Sequence, residues 1–240
     1  MKHKVLSTKK LDASLVEQAR QNNIEIIEQD FITIHPILSK EKWDEIFEVI
    51  ENKKEYVVFT SSNAVNSLKK YLKDYINPFA TNWKIFCLAG KTKIALEENI
   101  ELFGKIVETA ENASVLAEKI TQYKIEEIVF FCGNKRRDEL PSILKEAGVK
   151  IHEVLVYETS KTPVATTADI DAVIFFSPSA VQSFFSVNQL KEETVCFAIG
   201  KTTADKIQNH CENKTVASNF PSQNDLIKKL LNYFQTSLLG

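Results

Sequence analysis

A short segment occurs twice in this chain, and it limits the folds available more than any other feature. Phe59-Thr60-Ser61-Ser62-Asn63-Ala64-Val65-Asn66-Ser67-Leu68 aligns without a gap to Phe175-Phe176-Ser177-Pro178-Ser179-Ala180-Val181-Gln182-Ser183-Phe184, and five of the ten positions are identical. A second pair follows each copy at a similar distance: Ala89-Gly90-Lys91-Thr92-Lys93 against Ile199-Gly200-Lys201-Thr202-Thr203. Two motifs repeated in the same order imply one supersecondary unit used twice. A length of 240 residues suits two small domains better than one.

Hydrophobic periodicity names the unit. Short runs rich in β-branched and aromatic residues (Lys4–Ser7, Ile24–Glu28, Tyr56–Thr60, Lys84–Ala89, Lys105–Glu108, Glu127–Cys132, Ala172–Ser177, Thr194–Ile199, Lys214–Ala217) alternate with amphipathic stretches. Those stretches include Asp12–Asn22, Ala64–Tyr75, Lys91–Phe103, Ser114–Tyr123, Asp138–Ala147, Thr202–Cys211 and Gln223–Phe234. Apolar strands flanked by helices predict parallel sheets covered on both faces, so the fold class is α/β. Two further stretches, 30–36 and 151–163, alternate apolar with polar residues and end at Pro36 and Pro163. They read as crossover strands between domains. The expected partition is a discontinuous first domain, 1–33 with 160–240, and an inserted second domain, 37–154.

Composition removes whole classes of function. A formal net charge of −2 points to no nucleic-acid partner. The chain has no apolar run long enough for a membrane span and no secretory pattern at its N-terminus, so a cytoplasmic protein is expected. Cys87, Cys132, Cys196 and Cys211 lie far apart and three sit in strand-like runs, the pattern of buried reduced thiols. The four histidines are equally scattered, so no metal site is expected. Six glycines, unclustered, fit neither a dinucleotide fingerprint nor a P-loop, and no cofactor is expected.

The residues that close the strands form the candidate site. In parallel α/β sheets, ligands bind beyond the carboxyl ends of strands, where helix N-termini present N–H groups. Here those ends carry Thr8-Lys9, Thr60-Ser61-Ser62-Asn63, Gly90-Lys91-Thr92, Gly133-Asn134, Arg136-Arg137, Ser177-Pro178-Ser179 and Gly200-Lys201-Thr202-Thr203. Small hydroxyl residues, glycine and cations at helix starts favour an anion; singly, each hydroxyl also reads as a plain helix cap. Arg136 and Arg137 stand out because the chain has three arginines against 27 lysines. They read either as forks for carboxylate or phosphate, or as ion-pair partners of Asp138 or Glu139. Tyr157, on the second crossover strand, reads as a packing residue or as a proton donor. No aligned Ser-His-Asp set is present.

Taken in order, several blocks resemble the uroporphyrinogen-III synthase family: Val58-Phe59-Thr60-Ser61-Ser62-Asn63-Ala64-Val65, Phe131-Cys132-Gly133-Asn134-Lys135-Arg136-Arg137-Asp138-Glu139-Leu140-Pro141, Val154-Leu155-Val156-Tyr157-Glu158-Thr159, Phe176-Ser177-Pro178-Ser179-Ala180-Val181 and Ala198-Ile199-Gly200-Lys201-Thr202-Thr203-Ala204. They span nearly the whole chain. The resemblance implies two flavodoxin-like parallel-sheet domains joined by a two-stranded β-ladder. It implies a monomeric, cofactor-free lyase of tetrapyrrole (haem or sirohaem) biosynthesis that cyclises hydroxymethylbilane with inversion of ring D. Tyr157 matches the family's proposed acid, and Thr60 to Asn63, Gly133 and Asn134, Ser177 to Ser179 and Gly200 to Thr203 match loops that grip acetate and propionate carboxylates. The sequence departs from the family at Lys9, where arginine is usual, and at Lys93, where threonine is common. A two-domain module that binds an anion or a tetrapyrrole without turnover would show the same composition.

Overall fold

The structure, a computed structural model, describes residues 2–37, 39–51, 55–75, 81–166 and 169–236. By its internal contacts the chain divides into two units, Met1–Thr33 with Ser160–Gly240, and Ile34–Thr159. The changes of unit fall inside two strands, β3 (Ile32–Pro36) and β8 (Lys150–Lys161). These strands are neighbours. The Ile37 N–H donates to the Val156 carbonyl and the Thr162 N–H to the Phe31 carbonyl, each at 3.0 Å, so the pair runs antiparallel.

The first unit is built on β1 (His3–Ser7), β2 (Ile24–Glu28), β9 (Ala172–Phe175), β10 (Val195–Ala198) and β11 (Thr215–Ala217). Their order across the sheet is β11-β10-β9-β1-β2, all parallel. Alternate residues feed opposite faces. Val5, Ile174 and Phe197 enter one apolar cluster with Leu15 of α1 (Ala13–Gln21) and Leu230 of α10 (Gln223–Thr236). Leu6, Val173, Phe175 and Cys196 enter another with Phe184 of α8 (Pro178–Phe185) and Ile207 of α9 (Lys201–Gln208). A sheet apolar on both faces needs helices on both, which is why these strands lack a polar face.

The second unit repeats the scheme with β4 (Tyr56–Phe59), β5 (Trp83–Leu88), β6 (Gly104–Ala110), β7 (Glu127–Gly133) and β8, in the order β8-β7-β4-β5-β6. These five are parallel as well. Val57, Phe59, Val129 and Phe131 pack on the face covered by α3 (Ser62–Tyr75). Val58, Phe86 and Phe130 pack on the face covered by α6 (Ala113–Gln122) and α7 (Glu139–Glu146).

Three local features differ from expectation. The expected helix over Lys91–Phe103 is two, α4 (Lys91–Glu97) and α5 (Ile100–Phe103), parted at Asn99, whose amide donates back to the Ala95 carbonyl at 2.8 Å. A helix absent from the expected set, α2 (Lys40–Glu51), adds Ile46 to the second unit's core. The segment expected as a linker, 151–163, is a sheet strand over its first half, because β8 pairs with β7 from Lys150 to Tyr157. Among the described residues no helix is long and apolar enough to cross a membrane. All four cysteines are free, three buried and Cys211 half-buried.

Candidate functional site

Each sheet has one place where neighbouring strands send their connections in opposite directions, the β1/β9 boundary in the first unit and the β4/β7 boundary in the second. Such a boundary leaves a crevice at the carboxyl edge of the sheet. The residues expected to bind fall at these edges, in two groups, one per unit.

In the first unit the switch point is stitched shut by Thr8, which is 2% exposed. Its N–H and its hydroxyl both donate to the Ile174 carbonyl, at 3.0 and 2.9 Å, and its Oγ1 accepts the Phe176 N–H at 3.3 Å. The hydroxyl therefore has a partner for its proton and for a lone pair. Lys9, next along, is exposed. Ser177 caps α8, accepting the Ala180 N–H at 3.1 Å, with Pro178 in the first turn and Ser179 half-buried. Gly200 opens α9 in extended backbone; Lys201 and Thr202 are exposed and Thr203 is buried against the core.

In the second unit β4 delivers half-buried Thr60, Ser61, Ser62 and Asn63 to the start of α3. Ser61 caps that helix: its Oγ accepts the Asn63 N–H at 3.1 Å. Gly90, at φ 74°, opens α4, followed by exposed Lys91 and buried Thr92. The two glycine turns align in sequence, yet Thr92 faces the core where its aligned partner Thr202 faces solvent.

At β7 the pairing with β8 slips. Cys132 stands opposite Leu155, but Gly133 stands opposite Tyr157, so Val156 is passed over. Tyr157 is 9% exposed, and its hydroxyl donates to Ser61 Oγ at 3.2 Å. Its ring lies over Gly133, where an added Cβ would come within 2.7 Å of Cε1 and nearer still to Cζ and Cε2. Burial raises the phenol above its ordinary pKa; the hydrogen bond to Ser61 works in the opposite direction and is outweighed. Tyr157 is thus a neutral, proton-bearing group at the second unit's carboxyl edge. Asn134 is turned to the same strand: its N–H donates to the Tyr157 carbonyl at 3.3 Å, and its Oδ1 accepts the Thr159 N–H at 2.9 Å.

Arg136 sits apart from this group. Its fork is held by Glu153, with Nη2 at 2.8 Å from Oε1, and by Asp138. These contacts, Glu153 first, raise its pKa further. Of the two open readings the ion pair is the one present, and its main partner, Glu153, went unnamed in the sequence because it lies on the neighbouring strand. Arg137 is exposed. Among the described residues no cluster of three or more His, Cys, Asp or Glu is placed to hold a metal ion.

The family model described as Uroporphyrinogen-III synthase HemD matches residues 13–228, most of the chain. The chain belongs to the uroporphyrinogen-III synthase family. The family is one of haem-biosynthetic enzymes and acts on a tetrapyrrole. Solved structures agree in fold. Uroporphyrinogen-III synthetase from Helicobacter pylori is 17% identical with a TM-score of 0.69, over 97% of this chain and 100% of that one. A mutant uroporphyrinogen III synthase from Thermus thermophilus is 13% identical with a TM-score of 0.68, over 99% and 100%. No curated protein matches the chain in sequence. At such low identity the matched structures establish the two-sheet α/β architecture, while membership rests on the family match.

Proposed function

We propose that this chain is a cyclising hydro-lyase that converts hydroxymethylbilane to the type III macrocycle. Tyr157 protonates the departing hydroxyl, which leaves as water, and the remaining azafulvene cation attacks the substituted carbon of ring D. The spiro intermediate fragments and recloses with ring D inverted, and loss of a ring proton restores the pyrrole. One observation carries the assignment to these residues. A buried tyrosine, kept neutral by its surroundings, stands at the carboxyl edge of a doubly wound sheet in a chain of this family.

The substrate's carboxylates are held by the strand-end loops of Thr60 to Asn63, Gly90 to Thr92, Ser177 to Ser179 and Gly200 to Thr203, where helix N-termini present N–H groups. Lys9, Lys91, Lys201 and Arg137, all exposed, add charge at the same edges. Thr8 and Arg136 serve the scaffold, since their polar groups already have protein partners. Because free substrate also closes unaided to the uninverted isomer, the chain's main task is holding a conformation that favours the spiro route. Four free cysteines support a reducing, cytoplasmic setting. A monomer is proposed with it, and size-exclusion chromatography with light scattering tests that state.

The deciding experiment supplies enzymatically generated hydroxymethylbilane and separates the isomers. Type III product is expected; type I alone would return the chain to a binding module without turnover.

A further inference from the structure

We infer that Gly133 and Asn134 are positioning residues for Tyr157 and do not hold substrate carboxylates. The inference rests on the reading of Tyr157 as the proton donor. The Gly-Asn pair ends a strand at the ligand edge, so position alone would make it a carboxylate grip. Its surroundings say otherwise. Gly133 is buried, and the face on which a side chain would stand is covered by the Tyr157 ring. Its φ lies outside the left-handed region, so the backbone itself would accept other residues. Only the ring demands glycine here.

Asn134 completes the hold. Its N–H donates to the Tyr157 carbonyl at 3.3 Å, its Oδ1 accepts the Thr159 N–H at 2.9 Å, and its Nδ2 faces the Thr159 carbonyl at 3.5 Å. A side-chain amide thereby extends the β7/β8 ladder past the point where β7 stops. The slip between Cys132 and Gly133 is what brings Tyr157 opposite the glycine. With the ring seated on Gly133, the strand held on both sides by Asn134 and the hydroxyl on Ser61, the phenol has one placement. Proton transfer needs that placement, since a reacting group displaced by about 1 Å costs on the order of 100-fold in rate.

Steady-state kinetics on hydroxymethylbilane test this with Gly133→Ala, Asn134→Ala, Tyr157→Phe and the double variants. Gly133→Ala is expected to lower kcat about 100-fold and Asn134→Ala to lower it less, both with KM within about twofold of wild type. On a Tyr157→Phe background neither change lowers kcat by more than about twofold, because each acts through the missing hydroxyl. A raised KM with kcat preserved, or effects that multiply with Tyr157→Phe, would overturn the inference in favour of a substrate grip. Should Gly133→Ala not fold, Asn134→Ala carries the kinetic test, and Gly133→Ala/Tyr157→Ala carries the steric one. Removing the ring should restore a cooperative melting transition, and a pair that shows none where Tyr157→Ala alone does would overturn the packing claim.

A readout independent of activity is the 19F resonance of Tyr157 in protein labelled with 3-fluorotyrosine, identified by its loss in Tyr157→Phe. It is expected to move in Asn134→Ala, and an unmoved resonance counts against the cradle. If wild type forms no type III product, the proposed function fails, while the resonance and the melting pair still decide the cradle. If wild type is active and Tyr157→Phe equally so, the positioning role falls and the function stands.

Discussion

The two units share one layout entered at different points. Read across the sheet, β11-β10-β9 followed by β1-β2 corresponds strand for strand to β6-β5-β4 followed by β7-β8. The duplicated segments mark the three-strand halves, which run β9-α8-β10-α9-β11 and, with the short α5 added before β6, β4-α3-β5-α4-α5-β6. The two-strand half comes first in chain order in one unit and last in the other. The strands beside the two switch points nonetheless end in different chemistry. Just past the end of β1 the Thr8 hydroxyl closes the seam to β9, whereas β7 ends in Gly133, whose missing side chain admits a tyrosine ring. A shared architecture thus carries two switch points, of which one is closed by a threonine hydroxyl and the other is flanked by a buried tyrosine hydroxyl.

Paired substitutions break this contrast if it is wrong. Tyr157→Phe is expected to lower turnover by about 100-fold or more, while its loss of one hydrogen bond costs at most about 1 kcal/mol of stability. Thr8→Val should do the reverse, costing about 1–3 kcal/mol because buried polar groups lose a partner, with turnover per folded molecule falling far less than in Tyr157→Phe. Denaturant melts beside initial rates check both, and equal kinetic losses at the two positions would erase the distinction.

The aligned glycines sharpen it at smaller scale. Both have open space where a Cβ would stand, but Gly90 has φ 74° and Gly200 is extended. Gly90→Ala should cost about 1–2 kcal/mol and Gly200→Ala no more than about 0.5 kcal/mol. Similar melting shifts for the two would contradict the backbone difference.

The mildest difference concerns thiols. Burial pushes Cys87 and Cys132 in the second unit up to about 11 and raises Cys196 in the first as well. Alkylation of native protein near neutral pH should therefore label Cys211 alone, which peptide mapping would show; label on Cys87 or Cys132 would refute it. Because these raised thiols and the Tyr157 phenol ionise more readily in the unfolded chain, the linkage has one sign. Their contribution to stability is intact below the ordinary thiol pKa of about 8.5 and is lost as pH climbs through about 11.

Much of this was legible beforehand, for reasons particular residues show. Val57-Val58-Phe59 and Val173-Ile174-Phe175 are apolar at every position because helices cover both faces, so the runs announce buried parallel strands. Helix α2, between the crossover strand β3 and β4, was not among the expected elements although Lys40–Glu51 is amphipathic. The Arg136–Glu153 pair was illegible because its members are 17 positions apart and meet only through β7/β8 pairing. Strand-end hydroxyls were found by position, yet position could not separate Thr8, occupied on both sides, from Ser61, which faces the tyrosine.

The amino-acid order alone determined the alternation of strand and helix and the repeated half-unit, because burial on two faces and an amphipathic stripe are written in local periods of two and 3.6. It also supplied every residue type at the site. Which of those residues meet was decided in three dimensions. The slip after Cys132 leaves no mark on the local period, since a bulge forms where facing strands must reconcile their packing, and it is this slip that sets Tyr157 above Gly133 and within reach of Ser61.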